Sequence, residues 1–153
     1  MNGGCTKFAY CNGKLLNIAE VRRKTAYQPE QWKHTIYCMG TCVFVGYGAP
    51  YDKTVERYLQ KRMHGDGEYL VENVSQFYNG RYQDIFYNLN ALPVKEGDII
   101  FICINDRALR GIPHFNMWNL FARPHNYGEV FIDKYHVNEK GNEIIADKFY
   151  QWL

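Results

Sequence analysis

Six consecutive apolar residues, Ile99-Ile100-Phe101-Ile102-Cys103-Ile104, form the strongest strand signal in the sequence. Most of them are β-branched or aromatic, and the turn-forming residues Lys95-Glu96-Gly97-Asp98 come directly before them. A strand without alternating polar residues is typical of a parallel sheet, in which helices cover both faces of the strand. The run therefore predicts a strand that is buried on both faces.

Strand and helix patterns alternate before this run. Residues 35–39 form a short β-prone stretch that ends at Gly40, and residues 69–74 form a second one. Residues 52–63 and 82–89 carry apolar residues spaced three and four apart, which indicates one helix after each strand. Alternation of this kind predicts an α/β fold with a parallel sheet and helices on both faces, a three-layer sandwich.

The flanking segments complete this pattern. Asp52 is a candidate N-cap for the first helix, and Asn138 is one for a C-terminal helix. The inner face of that last helix is predicted to consist of Ile145, Phe149 and Trp152. We also expect a short helix within residues 116–121, a last strand at residues 129–132 and a short strand within residues 14–21.

Domain organisation and cellular location follow from composition. The chain has 153 residues, which suits one domain, and we divide it into an N-terminal arm, residues 1–34, packed on an α/β domain, residues 35–153. The net charge is +2, so we expect neither nucleic acid nor a membrane surface as a partner. Five cysteines, with no zinc-type spacing and no export signal, predict reduced thiols in the cytoplasm.

Reactive side chains follow the predicted strands. Gly40 is followed by Cys42, the second strand by Gly80, the third by Asn105, and the last by Asp133 and His136. Ligands of open α/β sheets bind beyond the carboxyl ends of the strands, so these groups are expected at one rim. A thiol, a backbone N–H, an amide and an Asp/His pair are the groups that acyl transfer requires.

Three blocks give this arrangement a family likeness. They are Gly40-Thr41-Cys42 followed by Val45-Gly46-Tyr47-Gly48, then Cys103-Ile104-Asn105-Asp106, and finally Asp133-Lys134-Tyr135-His136-Val137-Asn138-Glu139-Lys140-Gly141. In this order, residues 35–153 resemble the SGNH (GDSL-like) ester hydrolases, whose blocks read Gly-Asp-Ser, Gly-x-Asn-Asp and Asp-x-x-His. This chain has Cys in place of the nucleophilic Ser, Thr in place of the Asp before it, and Cys in place of the Gly of the later block.

The resemblance implies a catalytic triad. Cys42 would be the nucleophile, His136 the general base, and Asp133 the group that orients His136. The oxyanion hole would consist of the backbone N–H of Cys42, the amide of Asn105 and the backbone N–H of Gly80. The expected reaction is hydrolysis of a small-molecule ester or thioester, of a carbohydrate or a lipid, through a covalent acyl-enzyme. No metal and no organic cofactor are implied.

The interval between Asn105 and Asp133 is short for this family. It leaves room for little more than a single crossover connection. We therefore expect a small, mostly parallel sheet of four or five strands, of the flavodoxin-like SGNH-hydrolase type.

Other interpretations of the same residues stay open. The same triad would serve an acyltransferase, and the altered blocks also fit a non-catalytic binding module on a degenerate fold. Cys42 is also compatible with three other roles. It fits a buried structural thiol, a redox pair with Cys38, or a metal ligand together with Cys38 and His136. Catalysis requires Cys42 and His136 together, whereas redox sensing requires the two cysteines.

Each of the remaining residues also has an ordinary structural interpretation. Asn105 can be a turn residue, His136 a solvated loop residue and Asp133 a strand-end cap, while Cys103 fits the core. The segment of residues 107–128 is irregular and holds basic side chains that either line a site for an anionic substrate or lie on a surface loop; these are Arg110, His114, Arg123 and His125.

Overall fold

The computed structural model describes residues 10–12, 17–19, 22–23, 27–40, 42–64, 67–75, 82–104, 117–121, 127–133 and 136–153. The strands in these ranges are β1 (Tyr10–Asn12), β2 (Asn17–Ala19), β3 (Arg22–Arg23), β4 (His34–Gly40), β5 (Tyr69–Asn73) and β6 (Ile99–Cys103). The helices are α1 (Cys42–Val45), α2 (Val55–Arg62), α3 (Tyr82–Asn90), α4 (Trp118–Phe121), α5 (Tyr127–Val130) and α6 (Glu139–Tyr150). No helix within these ranges is long and apolar enough to cross a lipid bilayer.

The strands form one sheet in the order β1-β2-β3-β5-β4-β6. Its core is the parallel trio β5-β4-β6, and β1 to β3 extend it in antiparallel pairing through a contact between Arg23 and Asn73. The α/β class with a parallel sheet is as predicted. Strand β2 lies within residues 14–21, where a short strand was expected. The expected count of four or five strands differs from the six that the described residues form, because β1 and β3 were not foreseen.

Strand β4 separates the two layers of helices. Its alternate residues Ile36 and Cys38 face one cluster of buried side chains, to which α2 and α6 contribute, whereas Tyr37 and Met39 face a second cluster around Ile85 of α3. All four β4 residues are almost completely buried. Because alternate residues of a strand point to opposite faces, β4 packs against helices on both faces of the parallel trio.

Strand β6 forms where the sequence predicts it but is not buried on both faces. Ile102 is 43% exposed, and the other residues of β6 are partly buried. Within the described residues β6 pairs with β4 alone, so it lies at an edge of the sheet. An all-apolar run indicates a strand, but whether a neighbour covers it depends on a distant segment.

That distant segment is residues 129–132, where a last strand was expected. The structure instead has α5 there, followed by a single antiparallel bridge between Phe131 and Val137. Val130 and Phe131 are buried in the larger cluster, so their apolar character is satisfied against helices rather than within the sheet. The prediction of a strand was wrong because a run this short does not distinguish the two environments.

Helix boundaries differ from the predictions in two places. The N-cap of α2 is Thr54 rather than Asp52, since the Thr54 hydroxyl accepts a hydrogen bond from the backbone N–H of Arg57 at 3.4 Å. Asn138 caps α6 as predicted, and its side-chain oxygen accepts from the N–H of Gly141 at 3.1 Å. Trp152 lies beyond the end of α6 and is 46% exposed, so it is not part of the inner face.

Candidate functional site

The Asp133 carboxylate and the His136 imidazole lie in direct contact. The Nδ1 atom of His136 is 2.7 Å from Oδ2 of Asp133 and 2.9 Å from Oδ1. The Oδ1 atom also accepts the backbone N–H of His136 at 2.9 Å. One carboxylate therefore holds both the main chain and the ring of His136. The side chains are partly accessible, at 49% for Asp133 and 20% for His136.

This contact defines the chemistry of the imidazole. A carboxylate only accepts hydrogen bonds, so Nδ1 of His136 carries the hydrogen and donates it to Asp133. In the neutral ring the other nitrogen, Nε2, then has a free lone pair and can accept a proton. This is the arrangement of an oriented general base.

A short hairpin presents the pair. The backbone N–H of Ile132 donates to the carbonyl of His136 at 2.8 Å, and the N–H of Asn138 donates to the carbonyl of Val130 at 2.9 Å. These bonds flank the Phe131–Val137 bridge and close the loop that carries Asp133 and His136. The side-chain amide of Asn138 donates to the Glu129 carbonyl at 2.9 Å, which ties α5 to the start of α6.

Cys42 is the first residue of α1, directly beyond the carboxyl end of β4. The chain connects β4 to β5 on one side and then crosses to β6 on the other, so the ends of β4 and β6 mark a topological switch point. In open α/β sheets such switch points are where ligands bind. The partly buried Cys42 therefore lies at the rim where the sequence places it.

The close approach of β4 and β6 at this rim requires a glycine. Gly40 pairs with Cys103 and has a φ of 134°. A Cβ atom at Gly40 would lie 2.1 Å from the Cys103 carbonyl oxygen. No other residue type fits there without moving the backbone, so Gly40 brings the two strand ends together just before Cys42.

Tyr47 connects the segment of Cys42 with that of His136. Its ring centroid lies 4.4 Å from that of the His136 imidazole, with 35° between the ring planes. Its backbone N–H donates to the Cys42 carbonyl at 3.2 Å. The sequence contained a signal for this residue, since Tyr47 stands between two glycines just after the candidate nucleophile, but sequence reasoning assigned it no role.

Asn73 is a second residue that sequence reasoning missed. It is 3% exposed at the carboxyl end of β5, and its side-chain amide donates to the carbonyl of Phe44 in α1. Its oxygen accepts the backbone N–H of Ser75 at 3.0 Å. Asn73 thereby fastens α1 to the sheet. Its signal was a polar residue at a strand position that faces the core, two residues after the buried Val71.

Cys38 lies in the core and not at the rim. Its side chain is completely buried in the larger cluster, and burial raises the pKa of its thiol well above the ordinary range, with a further contribution from the Glu56 carboxylate. A thiol in this state is a poor partner for reversible oxidation. Among the described residues, no three His, Cys, Asp or Glu side chains are grouped to hold a metal ion. The redox and metal interpretations of Cys42 therefore gain no support.

Several predicted residues lie outside the described part of the chain. Asn105 and Gly80, the proposed oxyanion donors other than Cys42, are among them. The same holds for the basic residues of the irregular segment, Arg110, His114, Arg123 and His125. Cys103 is described and is partly buried, with its sulfur 3.9 Å from that of Met117.

A groove of about 650 Å³ lies at the opposite end of the parallel strands, with Trp32 and Tyr37 among its lining residues. Two carboxylates, Glu72 and Asp98, line it, and Asp98 accepts the backbone N–H groups of Thr35 at 2.7 Å and Lys95 at 2.8 Å. Asp98 thus closes the turn before β6 rather than facing a ligand. None of its described lining residues belongs to the segments that carry Cys42, Asp133 or His136.

No protein-family model matches the chain, and neither the curated proteins nor the solved structures contain a match to it. The functional interpretation therefore rests on the residues of the site.

Proposed function

We propose that the protein is an ester or thioester hydrolase that acts through a covalent acyl-enzyme on Cys42, with His136 as general base and Asp133 as its orienting partner. The observation that carries this proposal is the double contact of the Asp133 carboxylate with the ring and the backbone of His136. A carboxylate that binds both the ring and the backbone of the same histidine fixes the direction of the imidazole, as a general base requires. The pair lies beside the loop that follows Cys42.

The fold supports the same proposal. The parallel trio runs in the order second, first, third along the chain, as in flavodoxin-like sheets, and Cys42 follows its middle strand. This strand order is compatible with the SGNH-hydrolase type that the sequence motifs resemble. In the proposed site the nucleophile and the base come from different connections, the one that follows β4 and the one that precedes α6.

The proposed reaction has two steps, acylation of Cys42 and hydrolysis of the resulting thioester. Nε2 of His136 takes the Cys42 thiol proton, the thiolate attacks the carbonyl carbon, and the bond to the leaving group breaks as His136 returns the proton to it. Water then attacks the resulting thioester while His136 takes one of its protons and gives it to the departing Cys42 thiolate. The products are a carboxylic acid and an alcohol or thiol. The N–H of Cys42 and, as further candidates, Asn105 and Gly80 hold the oxyanion.

The substrate that we propose is a small acyl ester or thioester of a carbohydrate or lipid. An acceptor hydroxyl in place of water would make the protein an acyltransferase with the same first step. A binding module without catalysis would have no covalent step at all. The hydrolase, the acyltransferase and the binding module differ in whether an acyl group reaches Cys42 and in what then removes it.

The test is intact-mass spectrometry of the protein mixed with p-nitrophenyl acetate. We expect a single acetyl adduct on the parent protein, no adduct on Cys42→Ala, and slow formation on His136→Ala. Cys103→Ala is the matched control, because Cys103 is also a partly buried thiol at the end of a neighbouring strand. Its adduct should form at the parent rate.

Adduct decay distinguishes the two catalytic proposals. Decay in water alone supports a hydrolase, and decay that requires an added alcohol or sugar supports a transferase. A parent protein without an adduct, or with one that persists in Cys42→Ala, contradicts the proposed mechanism and favours a binding module.

A further inference from the structure

The loop after α1 holds Tyr47 in a defined place. Its backbone N–H donates to the carbonyl of Cys42, and the adjacent N–H of Gly46 donates to that of Val43 at 3.0 Å. Gly46 and Gly48 have φ values of 69° and 76°, a region that glycine adopts without strain. Tyr47 therefore stands between two glycines in the left-handed backbone conformation. Its main chain is hydrogen-bonded to Cys42, the proposed nucleophile.

The same loop touches the hairpin that carries the base. A Cβ atom at Gly48 would lie 2.6 Å from Cδ1 of Ile132, the residue before Asp133. The Tyr47 ring covers the imidazole of His136 with centroids 4.4 Å apart. Two elements that are far apart in the chain thus meet at this tyrosine and the glycine after it.

A second contact, on the face of the ring, is needed to fix the direction of the His136 imidazole. Asp133 holds His136 at Nδ1, near one edge of the ring, and a hydrogen bond at one edge leaves the ring able to rock about it. An aromatic ring against the face of the imidazole prevents that rocking and keeps Nε2 in one direction. When His136 takes a proton, the face of an aromatic ring also attracts the resulting cation.

We propose that Tyr47 is a positioning residue for His136, and that it couples the direction of Nε2 to the loop that carries Cys42. The ring, and not the hydroxyl, carries this role, because the contact with His136 is between the two rings, whose planes are tilted by 35°. The catalytic consequence rests on the proposed function, whereas the ring contact does not. The half-exposed position of Tyr47, at 52%, means that the fold does not depend on it.

Two variants of Tyr47 and one control separate this role from a structural one. Tyr47→Phe keeps the ring and should acylate at the parent rate. Tyr47→Leu loses it, and the acylation rate at saturating p-nitrophenyl acetate should fall about 10- to 100-fold with a nearly unchanged half-saturating concentration. Tyr87→Leu, at an exposed tyrosine of α3, should match the parent. All three should keep the parent melting temperature.

A readout independent of catalysis is the NMR spectrum of the His136 ring protons, assigned through His136→Ala. The Tyr47 ring current should displace these signals in the parent and in Tyr47→Phe, and the displacement should vanish in Tyr47→Leu. Signals that are the same in Tyr47→Leu and parent would overturn the ring contact. A Tyr47→Leu protein that acylates as fast as an active parent would overturn the positioning role alone, whereas a parent that never acylates overturns the proposed function.

Discussion

The Asp133 carboxylate determines which nitrogen of His136 carries the hydrogen, and therefore which one is available as the proposed general base. In Asp133→Asn the amide oxygen can accept from Nδ1, but the amide NH₂ can equally donate to it, which places the hydrogen on Nε2 and removes the base. We expect the acylation rate of Cys42 to fall by about 10³- to 10⁴-fold, measured by intact mass, with an unchanged melting temperature. Glu129→Gln is the control, since Glu129 is an exposed carboxylate nearby that contacts Lys140.

A loss of activity in Asp133→Asn that is no larger than in Glu129→Gln would show that the carboxylate does not orient the base. In that case the contact with the His136 backbone would be the main role of Asp133, as the cap of a turn.

Gly40 is the residue on which the geometry of the rim depends most. Gly40→Ala places a methyl group 2.1 Å from the Cys103 carbonyl oxygen at a φ of 134°, which an alanine rarely adopts. We expect the free energy of unfolding to fall by about 3 kcal/mol or more, measured by urea denaturation. Gly128→Ala is the matched control, because a Cβ atom there meets nothing within 4 Å. Equal stability of the two variants would contradict the close approach of β4 and β6.

At the scale of elements, helix α2 is fastened to strand β5 by one side chain. The Gln60 amide donates to the Tyr69 carbonyl at 3.2 Å, and its oxygen accepts the N–H of Val71 at 2.7 Å. Gln60 is 1% exposed. It satisfies backbone groups along the edge of β5, which β3 contacts only at Asn73. A side chain thus replaces part of a neighbouring strand.

Gln60→Leu keeps the volume but leaves both backbone groups without this partner. The free energy of unfolding should fall by about 2 to 4 kcal/mol, because each buried unpaired group costs about 1 to 3 kcal/mol. The amide hydrogen of Val71 should also exchange faster. Gln151→Leu, at an exposed glutamine after α6, should change stability by less than about 0.5 kcal/mol. Retained protection of Val71 in Gln60→Leu would refute this role.

At the scale of the whole molecule, the buried Cys38 thiol links folding to alkaline pH. Burial, with the Glu56 carboxylate second, raises its pKa in the folded protein above the ordinary value of 9.0. The unfolded chain therefore releases this proton first. The stabilising contribution is complete below pH 9 and is lost as pH rises from there toward the folded-state value.

Urea denaturation between pH 7.5 and 10.5 tests this. The free energy of unfolding should fall above pH 9, with a slope of up to about 1.4 kcal/mol per pH unit from this thiol. Cys38→Ala is less stable at every pH, but its decline should be shallower by that amount. Tyr58, whose pKa burial also raises, sustains the remaining decline above pH 10. Parallel profiles for the two proteins would exclude Cys38 as the source.

Local patterns were enough to predict most of the parallel core. Strands β4, β5 and β6 and helices α2, α3 and α6 formed near their predicted positions because the spacing of apolar residues reports directly which face of an element is buried. The contact of Asp133 with His136 was implied by the resemblance to the SGNH hydrolases, and it joins residues only three positions apart in the chain. Asn138 capped α6 for the same reason, as capping involves only neighbours in the chain.

The remaining features depended on contacts between segments distant in sequence. Residues 129–132 carry a strand pattern, yet Val130 and Phe131 are buried among helices, and β6 lies at an edge of the sheet with Ile102 43% exposed. The contact of Tyr47 with His136 likewise joins two connections. Periodicity shows that a residue will be buried or will contact something, but the partner is chosen by how the layers pack, because hydrophobic burial has no direction of its own.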